Sequence, residues 1–350
     1  MIRYYTRACN FYYGKESKIL VKKKKTLPLN DNKEISFNYI EIVSRNSKKK
    51  ISIKNINKLP RLLKKQIIAD LNIITSKKKN FANLDFKKIP NIMGVLNLTP
   101  DSFSDGGKFN NKIKGVKHAI EMFKSGANII DIGGESTRPG SKGVDEKLEW
   151  KRIGKILKLI CMRFPVSLDT RKSQIMEKGI KLGVKIINDV SGLNYDEKTK
   201  NILKKYKTSF VIQHSQGTPK NMQIKPSYKN ELLDIYDFFE EKIKFLRSMG
   251  IKHNNIIIDP GIGFGKNLKH NMNLINNISI FHSLGFPILV GNSRKRFIKE
   301  IAGKNDTKNR IGGTVASSVY LMMQGIQILR IHDVNELLQG VKVFKELIKN

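Results

Sequence analysis

Eight short apolar runs in this chain each end in polar or charged side chains whose types could together bind one ligand. Carboxylates and amides can satisfy the paired donors and acceptors of a heterocyclic ring, and an arginine two residues from a histidine on one strand can hold a phosphate-like anion. The groups at the ends of the runs are Asn97, Asp131 to Arg138, Asp169, Asn188 and Asp189, Gln213 and His214, Asp259, Ser293 to Lys295, and Arg330 with His332. The mixture predicts a site for a flat polar ring that carries an anionic leaving group.

A long polar loop follows the first of these runs. It covers residues 97–107, with the sequence NLTPDSFSDGG, and it contains the carboxylates of Asp101 and Asp105, three hydroxyl groups and two adjacent glycines. An ordinary turn needs about two to five residues, whereas longer loops of this kind are disproportionately functional. We therefore expect this first loop to take part in the chemistry.

Strands and helices alternate regularly from residue 91 onward. The predicted strands are 92–96, 128–132, 165–168, 184–187, 209–213, 255–258, 287–290 and 328–331. The predicted helices are 112–125, 145–162, 171–182, 196–206, 229–249, 269–284, 294–324 with breaks near Gly303 and at Gly312-Gly313, and 333–348. Eight β-α units in about 260 residues predict an α/β fold of the (β/α)8 TIM-barrel type. A doubly wound open sheet is the alternative, although it normally uses fewer strands.

The polar groups all fall at the carboxyl ends of the predicted strands. In a (β/α)8 barrel the eight such ends meet on one face, where enzymes of this architecture place their active sites. Polar residues placed at random would be spread over both ends of the strands. The pattern therefore predicts one catalytic mouth in a barrel domain that covers residues 91–350.

Residues 1–90 form a lysine-rich extension with a different pattern. Residues 35–39 alternate as a strand does and can pair with residues 51–53, and apolar residues recur at helical spacing after Pro60. Residues 77–80 have the composition of a linker. We expect a small α+β extension whose role is open between a degenerate domain, a cover over one end of the barrel and an oligomerisation element.

The composition limits the class of protein. A net charge of +36 would suit nucleic-acid binding, but dense lysine blocks occur only at Lys22–Lys25, Lys48–Lys50 and Lys77–Lys79, so most of the charge is expected to be solvated surface. The chain contains no apolar run of about 18 residues and no apolar signal-peptide core. Cys9 and Cys161 lie far apart, without a metal-binding spacing. A reducing cytoplasm fits this composition best.

Seven segments resemble the signature segments of the dihydropteroate synthase family. They are NLTPDSFSDGG (97–107), DIGGESTRPGS (131–141), SLDT (167–170), IINDVSG (186–192), DPGIGFGKN (259–267), GNSRK (291–295) and RIHD (330–333). The likeness covers about residues 91–348. It implies a (β/α)8 enzyme that condenses 6-hydroxymethyl-7,8-dihydropterin pyrophosphate with p-aminobenzoate in folate synthesis, giving dihydropteroate and pyrophosphate. It also implies a Mg²⁺ cofactor and, by analogy, a homodimer that uses the last helices.

The resemblance implies which residues hold the pterin. Asp169, Asn188 and Asp259 would hydrogen-bond the ring, and Lys295 would lie over or beside it. Gln213, which is also assigned to this site, stands where the family more often has Met. The apolar contact expected there is therefore changed in this chain.

The resemblance also implies which residues hold the other reactants. Arg330, His332 and Asn97 would hold the pyrophosphate, Asn97 together with Mg²⁺ and with Asp101 as a further candidate. The residues implied to shape the p-aminobenzoate pocket are Thr137, Arg138, Pro139 and Ser293. We expect catalytic contributions from Asp169, Lys295, Arg330 and His332.

Three alternatives remain at this point. One is another pterin-binding barrel, such as the methyltetrahydrofolate-binding domain of corrinoid-dependent methyltransferases, which has no pyrophosphate to hold. The second is a catalytically idle homologue, and the third is a basic nucleic-acid-binding protein that uses the N-terminal lysine blocks. Arg330, His332 and the complete first loop favour the synthase, and binding of labelled DNA or RNA by residues 1–90 would be needed to favour the third.

Overall fold

The computed structural model describes residues 2–99, 111–136, 140–141, 143–218, 221–303 and 306–349. Within these ranges the chain forms an antiparallel sheet of four strands and a parallel sheet of eight strands. The first sheet belongs to the N-terminal extension and the second to the barrel. The predicted α/β barrel with a small α+β extension is confirmed.

The extension is built around one long strand. Its strands are β1 (Tyr5–Tyr13), β2 (Leu27–Leu29), β3 (Asn32–Val43) and β4 (Lys48–Ser52), and its helices are α1 (Gly14–Lys22) and α2 (Arg61–Thr75). The predicted pairing of β3 with β4 and the predicted helix after Pro60 are both present. Strand β1 and helix α1 were not predicted, because β1 is defined by its pairing with β3 over residues 5–13, a contact that local sequence does not encode.

Eight parallel strands close into the barrel. They are β5 (Asn91–Asn97), β6 (Ile129–Gly133), β7 (Val166–Asp169), β8 (Ile186–Asp189), β9 (Ser209–Gln213), β10 (Ile256–Asp259), β11 (Leu289–Val290) and β12 (Ile328–Ile331). The strand order is β10-β9-β8-β7-β6-β5-β12-β11. A parallel bridge between Ile258 and Ile288 joins the two edges, so the sheet closes on itself.

Helices cover the outside of the barrel. They are α3 (Asn111–Lys124), α4 (Glu146–Cys161), α5 (Ser173–Lys181), α6 (Thr199–Tyr206), α7 (Glu231–Ser248), α8 (Leu268–Asn276), α9 (Arg296–Ala302), α10 (Ile311–Met323) and α11 (Val334–Leu347). In the described ranges, no helix combines the length and the apolar character needed to cross a membrane.

Two helix predictions were wrong in detail. The predicted helix 269–284 ends at Asn276, where the Asn277 side chain donates to the Asn273 carbonyl, and a 3-10 helix (Ile278–Leu284) follows. The break predicted at Gly312-Gly313 is absent, because both glycines lie inside α10. A Cβ atom at residue 313 would lie 2.4 Å from Cγ2 of Ile298, so this glycine allows α10 to approach α9 closely.

The alternation of side chains along each strand explains why polar residues meet inside the barrel. Successive residues of a strand point to opposite faces, so positions two apart share a face. The lower interior of the barrel is a cluster that includes Met93, Ile129, Ile186, Val211, Ile257, Leu289 and Ile328. Two residues further along the same strands stand Val95, Asp131, Asn188, Gln213, Asp259, Gly291 and Arg330. On five of these seven strands the interior side chain therefore changes from apolar to polar towards the carboxyl end.

The N-terminal extension packs on the side of the barrel. The Tyr13 hydroxyl donates to the Met323 carbonyl at 2.6 Å, and Oγ of Ser279 donates to the Ala8 carbonyl at 2.9 Å. The extension keeps its own small core, which includes Phe37 and Ile67. It is thus a layer with its own core that is attached to the barrel by hydrogen bonds, by ion pairs of Arg3 and Arg45, and by burial of Tyr5 against the barrel's core.

The segment after the linker closes the base of the barrel. Leu84 and Phe86 are buried and belong to the same cluster as the lower interior residues. The Asn91 side chain donates to the Asp85 carbonyl at 3.0 Å and fixes this segment at the start of β5. The base is therefore filled by side chains, and the polar mouth lies at the opposite end.

Candidate active site

Arg330 joins two buried carboxylates at the centre of the barrel mouth. Its Nε donates to Oδ2 of Asp131 at 2.6 Å, and its Nη2 donates to Oδ2 of Asp169 at 2.7 Å. Nδ2 of Asn188 donates to the same oxygen of Asp131 at 3.1 Å. Burial alone would lower the pKa of Arg330, but the charges of Asp131 and Asp169 outweigh it and raise that pKa. Asp131 is among the polar groups predicted at the strand ends, but its role as a partner of Arg330 was not predicted.

Burial changes the acidity of the two predicted pterin-binding carboxylates. It raises the pKa of Asp169 to about 7, against the opposing charge of Arg330. It also raises the pKa of Asp259 to about 6, although the Gly261 N–H, which donates to Oδ1 at 2.8 Å, lowers it. Both carboxylates are therefore predominantly ionised only at neutral to alkaline pH.

Lys295 lies at the same mouth, next to an aromatic ring. Its Nζ is 4.1 Å from the centroid of the Phe264 ring. Burial lowers the pKa of Lys295 to about 8, and the charge of Arg330 acts in the same direction, while Asp259 and Asp169 oppose it. The structure thus brings Asp169, Asp259, Lys295 and Arg330 together around one opening, and random placement on the fold would have separated them.

Ser293 and His332 contact each other across the last two strand ends. Oγ of Ser293 accepts a hydrogen bond of 3.2 Å from the His332 backbone N–H and lies 3.0 Å from Nδ1 of its ring. Beside them, Arg294 forms a bidentate ion pair with Asp333, with Nε 2.9 Å from Oδ2. These contacts fix the His332 imidazole and the backbone that carries Lys295.

Three polar side-chain atoms of the mouth have no hydrogen-bond partner within the described ranges. They are Oδ1 of Asp131, Oδ1 of Asn188 and Nε2 of Gln213. Buried polar atoms are normally paired, because an unpaired one costs about 1–3 kcal/mol. Two acceptors and one donor are therefore available to a ligand with complementary groups, as a flat heterocycle has.

Gly133 allows Asn97 and Asp169 to approach each other across β6. A Cβ atom at residue 133 would lie 3.3 Å from Cβ of Asp169, 3.5 Å from its Oδ2 and 3.6 Å from Oδ1 of Asn97. A side chain at residue 133 would therefore crowd Asp169, while its contact with Asn97 would be an ordinary one.

Oδ1 of Asn97, at the mouth, suits the predicted Mg²⁺. Amide and carboxylate oxygens are hard donors, and Mg²⁺ is commonly bound through one or two protein ligands and substrate phosphates. In the part of the chain that the structure describes, no group of three or more His, Cys, Asp or Glu side chains could hold a metal. The donor set therefore suits an ion shared with a phosphate-bearing substrate.

Some of the predicted residues lie outside the described ranges. These are Thr137, Arg138 and Pro139 of the second loop, which is the segment 134–145 between β6 and α4, and Asp101 and Asp105 of the first loop.

A buried ion cluster anchors the second loop at both of its flanks. Glu135 accepts hydrogen bonds from Arg171 at 2.8 and 3.0 Å and from Lys172 at 3.0 Å. It also accepts from the Val144 N–H at 3.1 Å. Lys172 pairs in addition with the fully buried Glu149. Sequence patterns missed this cluster, since its members come from three separate segments, although Glu135 belongs to the motif at 131–141.

A second unpredicted contact orders the loop after β10. Nζ of the buried Lys266 donates to the carbonyls of Gly261 and Phe264 at 3.0 and 2.9 Å and lies 3.0 Å from Nδ1 of His214. Burial lowers the pKa of Lys266 to about 7. The lysine therefore holds the loop that carries Phe264 against the end of β9.

Comparisons with known proteins agree with this geometry. The pterin binding enzyme family matches residues 93–332. The dihydropteroate synthase of Escherichia coli (strain K12) is 40% identical over 256 residues, which cover 73% of this chain and 90% of that protein. The Yersinia pestis dihydropteroate synthase in a sulfonamide drug complex aligns with a TM-score of 0.72 and 39% identity, covering 76% of this chain and 97% of the other. The Xanthomonas albilineans enzyme in complex with 7,8-dihydropteroate aligns with a TM-score of 0.68 and 30% identity, covering 75% and 95% of the two chains.

Proposed function

The chain belongs to the dihydropteroate synthase family of pterin binding enzymes, and from this premise we propose how its barrel mouth performs that transferase reaction of folate biosynthesis. The substrates are 6-hydroxymethyl-7,8-dihydropterin pyrophosphate and p-aminobenzoate, and the products are 7,8-dihydropteroate and pyrophosphate. One observation carries the proposal. On five strands the interior side chains are apolar near the base and polar towards the carboxyl end. The polar ones place carboxylates, amides and a guanidinium around a single opening.

The pterin ring binds to Asp169, Asn188 and Asp259, with Lys295 beside it. Ionised carboxylates accept hydrogen bonds from the amino and ring N–H groups of a pterin, and the unpaired Oδ1 of Asn188 accepts another. Nζ of Lys295 and the Phe264 ring lie together at the opening, so they offer a cation and an apolar surface to a flat ring. This arrangement supports selection of a bicyclic ring with several N–H donors.

The pyrophosphate binds to Arg330, His332 and Asn97. Arg330 carries a positive charge at every accessible pH, and the Ser293 contact orients the His332 ring. When bound at Asn97, Mg²⁺ would neutralise charge on the departing pyrophosphate. Because Arg330 also contacts Asp169, the pyrophosphate site adjoins the ring site at the bond that breaks.

The reaction breaks the C–O bond between the pterin methylene and pyrophosphate and forms a C–N bond to p-aminobenzoate, whose amine gives up one proton. Positive charge develops on the ring as the anion leaves, and the ionised Asp169 stabilises it electrostatically. The aromatic amine is neutral at pH 7 and needs positioning. Thr137, Arg138, Pro139 and Ser293 supply that positioning, and the buried Glu135 cluster holds both flanks of the second loop.

We also propose that the enzyme is a homodimer that uses its last helices. Tyr320 of α10 and Val343 and Leu347 of α11 are apolar and exposed, at 43%, 61% and 72%. Exposed apolar residues on neighbouring helices favour a protein partner over water. Sedimentation velocity should give a dimer mass that falls to the monomer mass in Val343→Glu, and a wild-type monomer would contradict this proposal.

A cytoplasmic location is proposed from the two free cysteines, Cys9 and Cys161.

The activity is tested with purified protein, the dihydropterin pyrophosphate and labelled p-aminobenzoate, with and without Mg²⁺. We expect labelled dihydropteroate only when Mg²⁺ is present. Binding of the pterin without labelled product would indicate a methyltransferase-type barrel or an idle homologue. Product formation that is unaffected by chelation would contradict the Mg²⁺ assignment alone.

A further inference from the structure

Gln213 lies in the interior layer of the mouth, between two residues assigned to the pterin. It ends β9, which pairs with β8 on one side and with β10 on the other, and its register partner on β10 is Asp259. It shares the interior face with Val211 of the lower cluster, and 4% of its surface is exposed. The register partner of Asn188 on β9 is Val211, one interior position before Gln213, so Asn188, Gln213 and Asp259 line the opening from three consecutive strands.

The Gln213 amide nitrogen is a buried donor that finds no acceptor among the described residues. A donor in this condition destabilises the folded protein, whereas a methionine of similar size would not. Gln327 shows the ordinary arrangement: its Nε2 donates to the Gly325 carbonyl at 2.9 Å and its Oε1 accepts from the Ile288 N–H at 2.8 Å. Gln213 thus carries a cost that a bound ligand with an acceptor group would remove.

From β8 to β10, the side chains of Asn188, Gln213 and Asp259 offer a hydrogen-bond acceptor, a donor and an acceptor in that order. Oδ1 of Asn188 accepts, Nε2 of Gln213 donates and the Asp259 carboxylate accepts. A 7,8-dihydropterin has one edge with the complementary order: the N8–H donates, N1 accepts and the 2-amino group donates. The match assigns one ring group to each of the three strands.

We propose that Gln213 is a specificity-determining residue for the pterin, because its Nε2 donates a hydrogen bond to N1 of the ring. The inference rests on the proposed function, since it assumes that the pterin occupies this mouth. The contact replaces an apolar one with a polar one, so that this enzyme reads the N1 acceptor directly.

The test uses the full-length protein and two ligands, 6-hydroxymethyl-7,8-dihydropterin and its 1-deaza analogue, in which a CH group replaces N1. Calorimetry should show that Gln213→Met raises the Kd of the dihydropterin about 5- to 10-fold. The wild type should lose a similar factor on the 1-deaza analogue, and Gln213→Met should bind both ligands equally. Without ligand, Gln213→Met should raise the melting temperature by about 2 °C, because an unpaired buried donor has been removed.

Opposite results would overturn the proposal. These are an unchanged or lower Kd in Gln213→Met, equal binding of the two ligands by the wild type, or a lower melting temperature of the variant without ligand. The matched control is Gln327→Met, at the other end of the barrel, which should lower the melting temperature and leave the Kd unchanged. If the wild type binds no dihydropterin, the proposed function fails, whereas normal wild-type binding with a neutral Gln213→Met rejects only the role of Gln213.

Discussion

Nη2 of Arg330 lies 2.7 Å from Oδ2 of Asp169, a contact between β12 and β7 that spans the barrel mouth. Asp131, bonded to Nε of the same guanidinium, adds a second carboxylate, so two negative charges share one positive charge. This excess negative charge lies at the proposed pterin site, where a cation-like ring would form. The folded protein therefore positions this negative charge before the substrate binds, and no rearrangement is needed to stabilise the cation-like ring.

Asp169→Asn should lower kcat about 100-fold or more, because the amide keeps the size of the side chain and removes its charge. Steady-state kinetics with circular dichroism would measure turnover and confirm folding. Asp237→Asn is a matched control, since Asp237 pairs with Arg3 and Arg45 on the flank of the barrel. Near-normal turnover of Asp169→Asn would contradict the assigned role.

Arg330→Ala should also lose activity about 100-fold, but it leaves two buried carboxylates unpaired, so the accompanying loss of stability makes it the weaker test.

The Kd for the pterin should rise at both acid and alkaline pH. As the pH falls through about 7 and then about 6, Asp169 and Asp259 take up protons and stop accepting hydrogen bonds from the ring. As the pH rises through about 8, Lys295 loses its charge. The Kd for 6-hydroxymethyl-7,8-dihydropterin should therefore be lowest between about 7 and 8. Asp259→Asn should remove the lower step of the acid limb, and an unchanged profile in that variant would show that another group titrates.

Much of this site could be predicted from sequence because its residues follow strands. The apolar runs before Asp169, Asn188 and Asp259 mark the strand ends, and barrel geometry then brings those ends together. The pairing of Arg330 with Asp131 could not be predicted, since it depends on which interior side chains face each other across the barrel. The Glu135 cluster was missed for the same reason, and strand β1 because it exists only through its pairing with β3.

Gly133→Ala should lower kcat about tenfold or more while the protein remains folded. The added methyl group would lie 3.3 Å from Cβ of Asp169, so Asp169 would have to shift, and displacements of less than an ångström at a reacting site are costly. Steady-state kinetics would measure the effect. Gly312→Ala is the control: its Cβ atom would meet nothing within 4 Å, so it should leave kcat unchanged and stabilise α10 slightly. Full activity of Gly133→Ala would show that the position of Asp169 tolerates this shift.

Glu135→Gln should raise the KM for p-aminobenzoate more than the KM for the pterin substrate. The amide keeps the shape of Glu135 but weakens its bonds to Arg171 and Lys172, so both flanks of the second loop lose their anchor. Initial rates with each substrate varied in turn would separate the two KM values. Glu177→Gln, which alters a surface contact with Lys205, should change neither. Equal increases in both KM values would indicate a general loss of structure and contradict a specific role in holding the loop.

Phe86→Ala should lower the free energy of unfolding by about 3–5 kcal/mol and leave the kinetic constants at low temperature nearly unchanged. Phe86 fills the base of the barrel with Leu84, in contact with the lower interior layer, and the catalytic groups lie at the opposite end. Urea unfolding would measure the stability, and assays well below the unfolding midpoint would measure the activity. Leu62→Ala is the control, because Leu62 is 75% exposed and its loss should change stability by less than about 0.5 kcal/mol. A Phe86→Ala protein as stable as the wild type would mean that residues 81–86 do not hold the base closed, and a stable variant with altered kcat would mean that the base and the mouth are coupled.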